Sequence, residues 1–165
     1  MERKHGSRVK APAIVTNSDQ ARHNVDVILE FFGSYLIDSA HFYTLWVPHD
    51  PQIITPFVTQ DVAVCGSAMR TGWDEVKGFY DPIHEMCGKF DWTIDEFIIG
   101  EDPNVIVTKS GSDIDVQTGA AFGKITLTYK GRYIQVFRFE DGLIKSFEEY
   151  YDTALLNSVY SGDKK

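Results

Sequence analysis

Near its end the chain reads Phe147-Glu148-Glu149-Tyr150-Tyr151-Asp152, with two adjacent carboxylates set among aromatic rings. A carboxylate is costly to take out of water. Acids in such company are therefore either solvated at a strand edge or enclosed in a pocket where they move protons. Two neighbouring acids enclosed together would raise one another's proton affinity toward neutrality, which suits a general acid or base. Asp152 precedes the helix-like "TALLNSVY" and fits a helix cap better than a second pocket acid. Tyr80, Asp81 and His84 share an upstream helical pattern. Histidine is the natural proton carrier near neutral pH, although amphipathic helices also carry plain surface histidines. Tyr35, Tyr43 and Trp46 offer a hydroxyl or an aromatic wall, against the commoner use of such residues as core. His41 and His49 lack the HxxxH type of spacing, so no metal site is expected. Cys65 and Cys87 form no CxxC and read as a reduced pair buried as small hydrophobes. Gly119, Gly123 and Gly131 read as bends in a curved sheet, not as a phosphate loop.

Helices and strands must bring these groups together. Thr16 and Asp19 have capping-box spacing, and Ala21, Val25, Ile28, Phe32 and Tyr35 then recur as one face of a helix to about Ile37. Asp38 and Ser39 can cap a short helix over "AHFYTLWV", stopped by Pro48 and Pro51. "QIITPFVTQDVAVCGSAMRTG" is β-branched and reads as one or two strands. "WDEVKGFYDPIHEMCGKF" returns to helical spacing through Phe90, with Pro82 expected to kink or divide it. "WTIDEFIIG", "NVIVTKSG", "SDIDVQTG" and "GKITLTYKG" read as strands. "YIQVFRFE" and "LIKSFEEYYD" form a hairpin about Asp141-Gly142, the signal of a type I′ turn. "TALLNSVY" ends the fold as a short helix.

This order predicts an α+β fold: a cone-shaped, curved antiparallel sheet packed against three to four helices, with a small-molecule pocket inside. An ideal two-residue turn pairs Phe139 with Ile144, Phe137 with Ser146, Gln135 with Glu148 and Tyr133 with Tyr150. Glu148 then faces the pocket, and Glu149 shares the other face with Ile134, Val136, Arg138 and Lys145. A bulge would exchange the two acids.

The 165 residues suit one domain with a sizeable core. We expect a flexible arm over residues 1–17 and a single domain over 18–160. A formal net charge of -8 disfavours nucleic acid or an anionic membrane as partner. No apolar run is long enough to span a bilayer. The start, "MERKHGSRVKAPAIV", lacks the apolar core of a secretory signal, so a cytoplasmic location is expected.

Four stretches, in order from Gly72 to Asp152, carry a family likeness: "TGWDEVKGF", "KFDWTIDEFI", "EDPNVIV" and "GRYIQVFRFEDGLIKSFEEYYD". They resemble the SnoaL-like and ketosteroid-isomerase-like proteins, which share the fold of nuclear transport factor 2, and among them most resemble the phenazine-biosynthesis A/B group. The resemblance implies a homodimer. It also implies an enzyme without metal or organic cofactor that isomerises, dehydrates, cyclises or cleaves a small cyclic or aromatic compound. Other members only bind ligands or proteins, so a non-catalytic binding or association module is the alternative, and an association module predicts an exposed apolar patch outside any dimer contact and a blocked or shallow hollow. The likeness aligns Glu149 with the family's proton-transfer acid, leaving Glu148 in reserve where the family often has Arg. It sets Asp81 near a histidine position of the phenazine group, with His84 three residues later. The expected catalytic set is thus Glu149 or Glu148, with His84, Asp81 or a tyrosine as donor or orienter. The expected substrate-binding set is Tyr35, Tyr43, Trp46, Tyr80, Trp92, Gln135, Phe137 and Tyr151.

Overall fold

Asp141 and Gly142 both have positive φ, 51° and 79°, as a type I′ turn requires. They join the strands Arg132–Glu140 (β7) and Leu143–Tyr151 (β8). His23 closes on this turn, its Nε2 lying 3.1 Å from the Gly142 carbonyl oxygen.

The computed structural model describes residues 8–35, 37–58, 65–117 and 126–161. Before the hairpin come Val9–Lys10 (β1), Asp19–Ser34 (α1), Ser39–Thr44 (α2), Gln52–Val58 (β2), Cys65–Thr71 (β3), Trp73–Met86 (α3), Cys87–Ile99 (β4), Val105–Gln117 (β5) and Thr126–Tyr129 (β6). Thr153–Ser161 (α4) follows it. Among the described residues this makes a curved, unclosed sheet of eight strands with four helices, in the order β1-β4-β5-β7-β8-β2-β3, with β6 paired to β5. The α+β class is as read. Two contacts, β1 on β4 and β2 on β8, are parallel in an otherwise antiparallel sheet.

One face of the sheet holds the core. Phe31 of α1 meets Phe137 of β7 and Phe147 of β8 at ring centroid separations of 5.3 Å and 5.0 Å. Phe32 meets Trp92 of β4 at 4.6 Å. Val76 and Tyr80 bring α3 onto the same cluster.

Several local expectations change. The N-cap of α1 is Ser18, whose Oγ accepts from Ala21 N at 3.1 Å; Thr16 instead accepts from the Ser18 amide. The helix ends at Ser34, short of Ile37, and α2 ends at Thr44, short of Val47. Trp46 instead bridges to Ile144 of β8. Pro82 does not divide α3; it lies on the solvent side, where water can reach the carbonyl its missing N–H leaves unpaired. Cys87 and Phe90, read as a continuation of that helix, belong to β4, where Phe90, Trp92 and Ile94 alternate into the core. "NVIVTKSG" and "SDIDVQTG" contribute to a single strand, Val105–Gln117, because β4 pairs along it on both sides of Gly111, while β7 covers its other edge up to Gly111 and β6 beyond. Part of the expected loose arm is held. Val9–Lys10 add a strand to β4, and Arg8 pairs with Asp91 at 2.7 Å. Residues 1–7, Gly119, Gly123 and Ile125 lie outside the described residues, as does the Cys65 side chain.

Candidate active site

The hairpin leaves its turn in the ideal register, Glu140 opposite Leu143 and Phe139 opposite Ile144. The next pair is Arg138 with Ser146, so Lys145 is an extra residue on β8. Strand side chains alternate faces, so one inserted residue reverses everything beyond it. Beyond the bulge Phe137 faces Phe147, Gln135 faces Glu149 and Tyr133 faces Tyr151. Phe137, Phe147 and Gln135 are buried, so Glu149 lies on the inner side with them. Glu148 falls on the outer face opposite Val136, where it accepts the Tyr150 hydroxyl. The pairing of Gln135 with Glu148 expected from an ideal turn is thereby corrected.

Glu149 opens into a cavity of about 210 Å³. The cavity is walled by Tyr35 from the end of α1, Phe79 and Ile83 from α3, and Cys87, Phe90 and Trp92 from β4. Ile114, Val116, Tyr129, Tyr133, Tyr151 and Leu156 complete it. An apolar cavity of about 150 Å³ is enough for benzene, so this one suits a single ring with small substituents. Among the described lining residues Glu149 is the one carboxylate, and none is Lys, Arg or His.

Enclosure decides the behaviour of Glu149. Burial pushes its carboxyl from 4.5 up to about 7, and the Gln135 amide opposite pulls it back. The cause is desolvation and not the neighbouring acid, which lies on the other face. Gln135 is itself oriented. Its Oε1 accepts from Thr108 Oγ1 at 2.7 Å and from Ser110 Oγ at 2.8 Å. Its Nε2 is buried without an acceptor at full hydrogen-bond geometry, but it favours the charged form of Glu149 across the strand pair.

Three phenols face the same carboxyl. Burial raises the pKa of Tyr35 far above the usual phenol value, with further increments from Tyr80 and Glu149. Burial and then Glu149 raise Tyr80 in the same way. Tyr133 is raised chiefly by burial, against the opposing effect of Ser112, whose Oγ lies 2.9 Å from its hydroxyl. All three remain protonated and able to donate.

Residues 40–147 match the SnoaL-like domain. The chain belongs to the SnoaL-like family. The matched span stops two residues before Glu149, so membership fixes the scaffold and not the acid. No curated protein matches the sequence. Solved structures share the fold of this SnoaL-like chain. PhzB2, a phenazine biosynthesis-related protein from Pseudomonas aeruginosa, matches with TM-score 0.70 and 15% identity over 93% of this chain and 91% of that one. An inferred SnoaL-like polyketide cyclase from Jannaschia sp. CCS1 gives 0.67 and 11% over 92% and 100%. SalBIII, an epoxide hydrolase/cyclase-like enzyme with a role in pyran ring formation in the polyether salinomycin, gives 0.60 and 12% over 81% and 93%.

Within this SnoaL-like fold the expected site residues divide. Glu149, Tyr35, Trp92 and Tyr151 line the cavity, and Gln135 and Tyr80 stand against Glu149 from β7 and α3. His84 is buried with its ring 5.6 Å from that of Tyr35 and 4.9 Å from that of Phe42; it sits one ring back from the cavity wall. Asp81 is exposed and accepts the Tyr43 hydroxyl, so this pair forms a surface latch between α2 and α3. Trp46 and Phe137 are core, packed around Phe31. Sequence reasoning missed Thr108, Ser110 and Ser112. The available signal was their alternation with Ile106 and Ile114, which puts three hydroxyls at inward positions of β5. Among the described residues no three His, Cys, Asp or Glu side chains converge as metal ligands, and no helix is long and apolar enough to cross a membrane.

Proposed function

We propose that this SnoaL-like protein is an acid/base enzyme that uses its own side chains, without metal or organic cofactor, on a small cyclic or aromatic metabolite. The observation that carries this reading is Glu149: an enclosed carboxyl titrating near 7, opening into an aromatic cavity of about 210 Å³ with phenol donors around it. At neutral pH such a group is divided between base and acid, the condition that favours proton transfer in both directions. Glu149 takes a proton from the carbon next to an activating carbonyl. A phenol from Tyr35 or Tyr133, both of which line the cavity, donates a hydrogen bond to the oxygen on which charge develops. The carboxylic acid so formed then returns the proton to another carbon (isomerisation) or to a departing hydroxyl (dehydration or lyase chemistry), or the enolate closes a ring. Cyclase-like SalBIII, on the same fold, supports the ring-closing branch.

The cavity favours a ligand-handling role over a protein-association module, for which a blocked or shallow hollow and an exposed apolar patch outside any dimer contact were expected. We also propose a homodimer. The outer face carries a row running strand to strand through Ile98, Val107, Val136, Glu148, Ile54 and Met69, apolar except at Glu148, with Ile98 and Met69 exposed. Wild-type protein should sediment as a dimer and Met69→Glu at a lower mass; a monomeric wild type removes the dimer, and an unchanged mass in the variant removes this face as its contact.

The enzymatic reading is tested by deuterium exchange. In D2O, wild-type protein should accelerate loss of the α C–H signal from at least one member of a panel of single-ring ketones and enones, read by NMR. Glu149→Gln should slow that exchange by about 100-fold or more, while saturation-transfer signals show the ring still bound. Binding without exchange across the panel identifies a binding module, and exchange at wild-type rate in Glu149→Gln removes Glu149 as the base.

A further inference from the structure

Thr108, Ser110 and Ser112 occupy alternate positions of β5, and all three are buried, with 0%, 0% and 7% of their surface exposed. Inward positions of a core strand are ordinarily apolar, and a hydroxyl placed there is costly unless it is hydrogen-bonded. Each of these is bonded, and each to β7. Thr108 and Ser110 both donate to Gln135 Oε1, and Ser112 meets the Tyr133 hydroxyl. Gln135 and Tyr133 in turn flank Glu149 across the β7/β8 pair. The polar contacts therefore run in one direction, from β5 through β7 to the acid on β8.

The two bonds to Gln135 have a specific consequence. A hydroxyl hydrogen can be accepted by the amide oxygen but not by the amide nitrogen. Two such donors on one oxygen fix which way the amide faces; Nε2 makes no hydrogen bond of its own at full geometry, and Glu149 is the cross-strand neighbour of Gln135. Turned over, the amide would set its carbonyl oxygen against the carboxylate. The phenols whose ionisation Glu149 opposes are those of Tyr35 at the end of α1, Tyr80 on α3 and Tyr133 on β7; Tyr129 and Tyr151 line the same cavity, and among the described residues no cationic side chain does.

We propose that Thr108 and Ser110 are positioning residues: donating together to Gln135 Oε1, they hold the amide N–H groups toward Glu149 and keep its carboxylate available as a base. The proposal rests on the reading of Glu149 as that base. It gives β5, which contributes no group of its own to proton transfer, control over the acid two strands away.

The test follows the Glu149 side-chain carboxyl by 13C NMR through a pH titration of the full chain, the signal being assigned by its loss in Glu149→Gln. In the double variant Thr108→Val, Ser110→Ala the amide is free to turn. The titration midpoint should rise by about one pH unit, a tenfold higher proton affinity. Thr108→Ser keeps the hydroxyl and should keep the wild-type midpoint. In a Gln135→Leu background the same double substitution should no longer move it, which separates positioning from a general loosening of the strand. A midpoint within about 0.2 unit of wild type in the double variant, or an equal rise in the Gln135→Leu background, overturns the proposal. Where the double variant does not fold, Ser110→Ala alone is read: a smaller rise supports the proposal and an unmoved midpoint overturns it. The titration needs no substrate. A chain that shows the rise but no deuterium exchange keeps the positioning device and loses the enzymatic reading, and exchange with an unmoved midpoint does the reverse.

Discussion

Replacing Glu149 by glutamine should protect the protein against rising pH. The carboxyl titrates at 4.5 when unperturbed and at about 7 in the fold, with burial as the cause. Between these values the native state holds a proton that the unfolded chain has released. Stability therefore falls as pH rises through that window, and the loss is complete above about 7. The gap is about 2.5 units, and at about 1.36 kcal/mol per unit it amounts to about 3 kcal/mol. Glu149 keeps some solvent exposure, which screens the charge, so about 2 kcal/mol is the working expectation. Against a total stability of about 5–15 kcal/mol this is readily measured. The assay is urea unfolding of wild type and Glu149→Gln at half-unit steps from about pH 4 to 8.5. The difference at pH 4, where both side chains are neutral, reports only packing and serves as the zero. From there the variant should gain on wild type steadily and level off above 7. A difference that stays constant with pH, or one that grows in favour of wild type, would refute the assignment of Glu149 as an enclosed, desolvated acid.

Other substitutions probe the frame around it. Phe31 is fully buried and meets seven other rings, from Phe32 to Phe147; Phe31→Ala should cost about 3–5 kcal/mol in urea unfolding. A Cβ at Gly131 would lie 2.7 Å from the Tyr129 hydroxyl oxygen and in collision with that of Tyr133. Gly131→Ala should therefore cost about 1–3 kcal/mol and alter the near-ultraviolet dichroism of these tyrosines. Asp152 caps α4, its Oδ1 accepting from Leu155 N at 2.9 Å. Asp152→Ala should cost about 1 kcal/mol and leave the 13C titration of Glu149 where it was.

What the sequence determined by itself was local. Helical spacing marked α1 and α3, caps and prolines marked α2, the Asp141-Gly142 pair marked the hairpin, and alternation marked the strands around it, because each of these patterns is set by residues a few positions apart. The class of the fold follows from that order, and the motifs from Gly72 to Asp152 were enough to suggest the family. The same local rules failed where a long-range contact overrode them. Cys87 and Phe90 continued the spacing of α3, yet pairing with β5 draws them into a strand. The family likeness pointed to Glu149, but the strand pattern alone pointed to Glu148, for a related reason. In the ideal register Phe147 points to solvent; the bulge at Lys145 turns it inward to meet Phe31 and Phe137. Burying such a side chain is worth about 1.5–3 kcal/mol, enough to favour one extra residue in the strand. The spacing from Ile144 to Phe147, three where a strand alternates by two, was the trace of this in the sequence. It was the fit of Phe147 into a core drawn from α1 and β7, available only once those elements had packed, that set Glu149 rather than Glu148 beside the cavity.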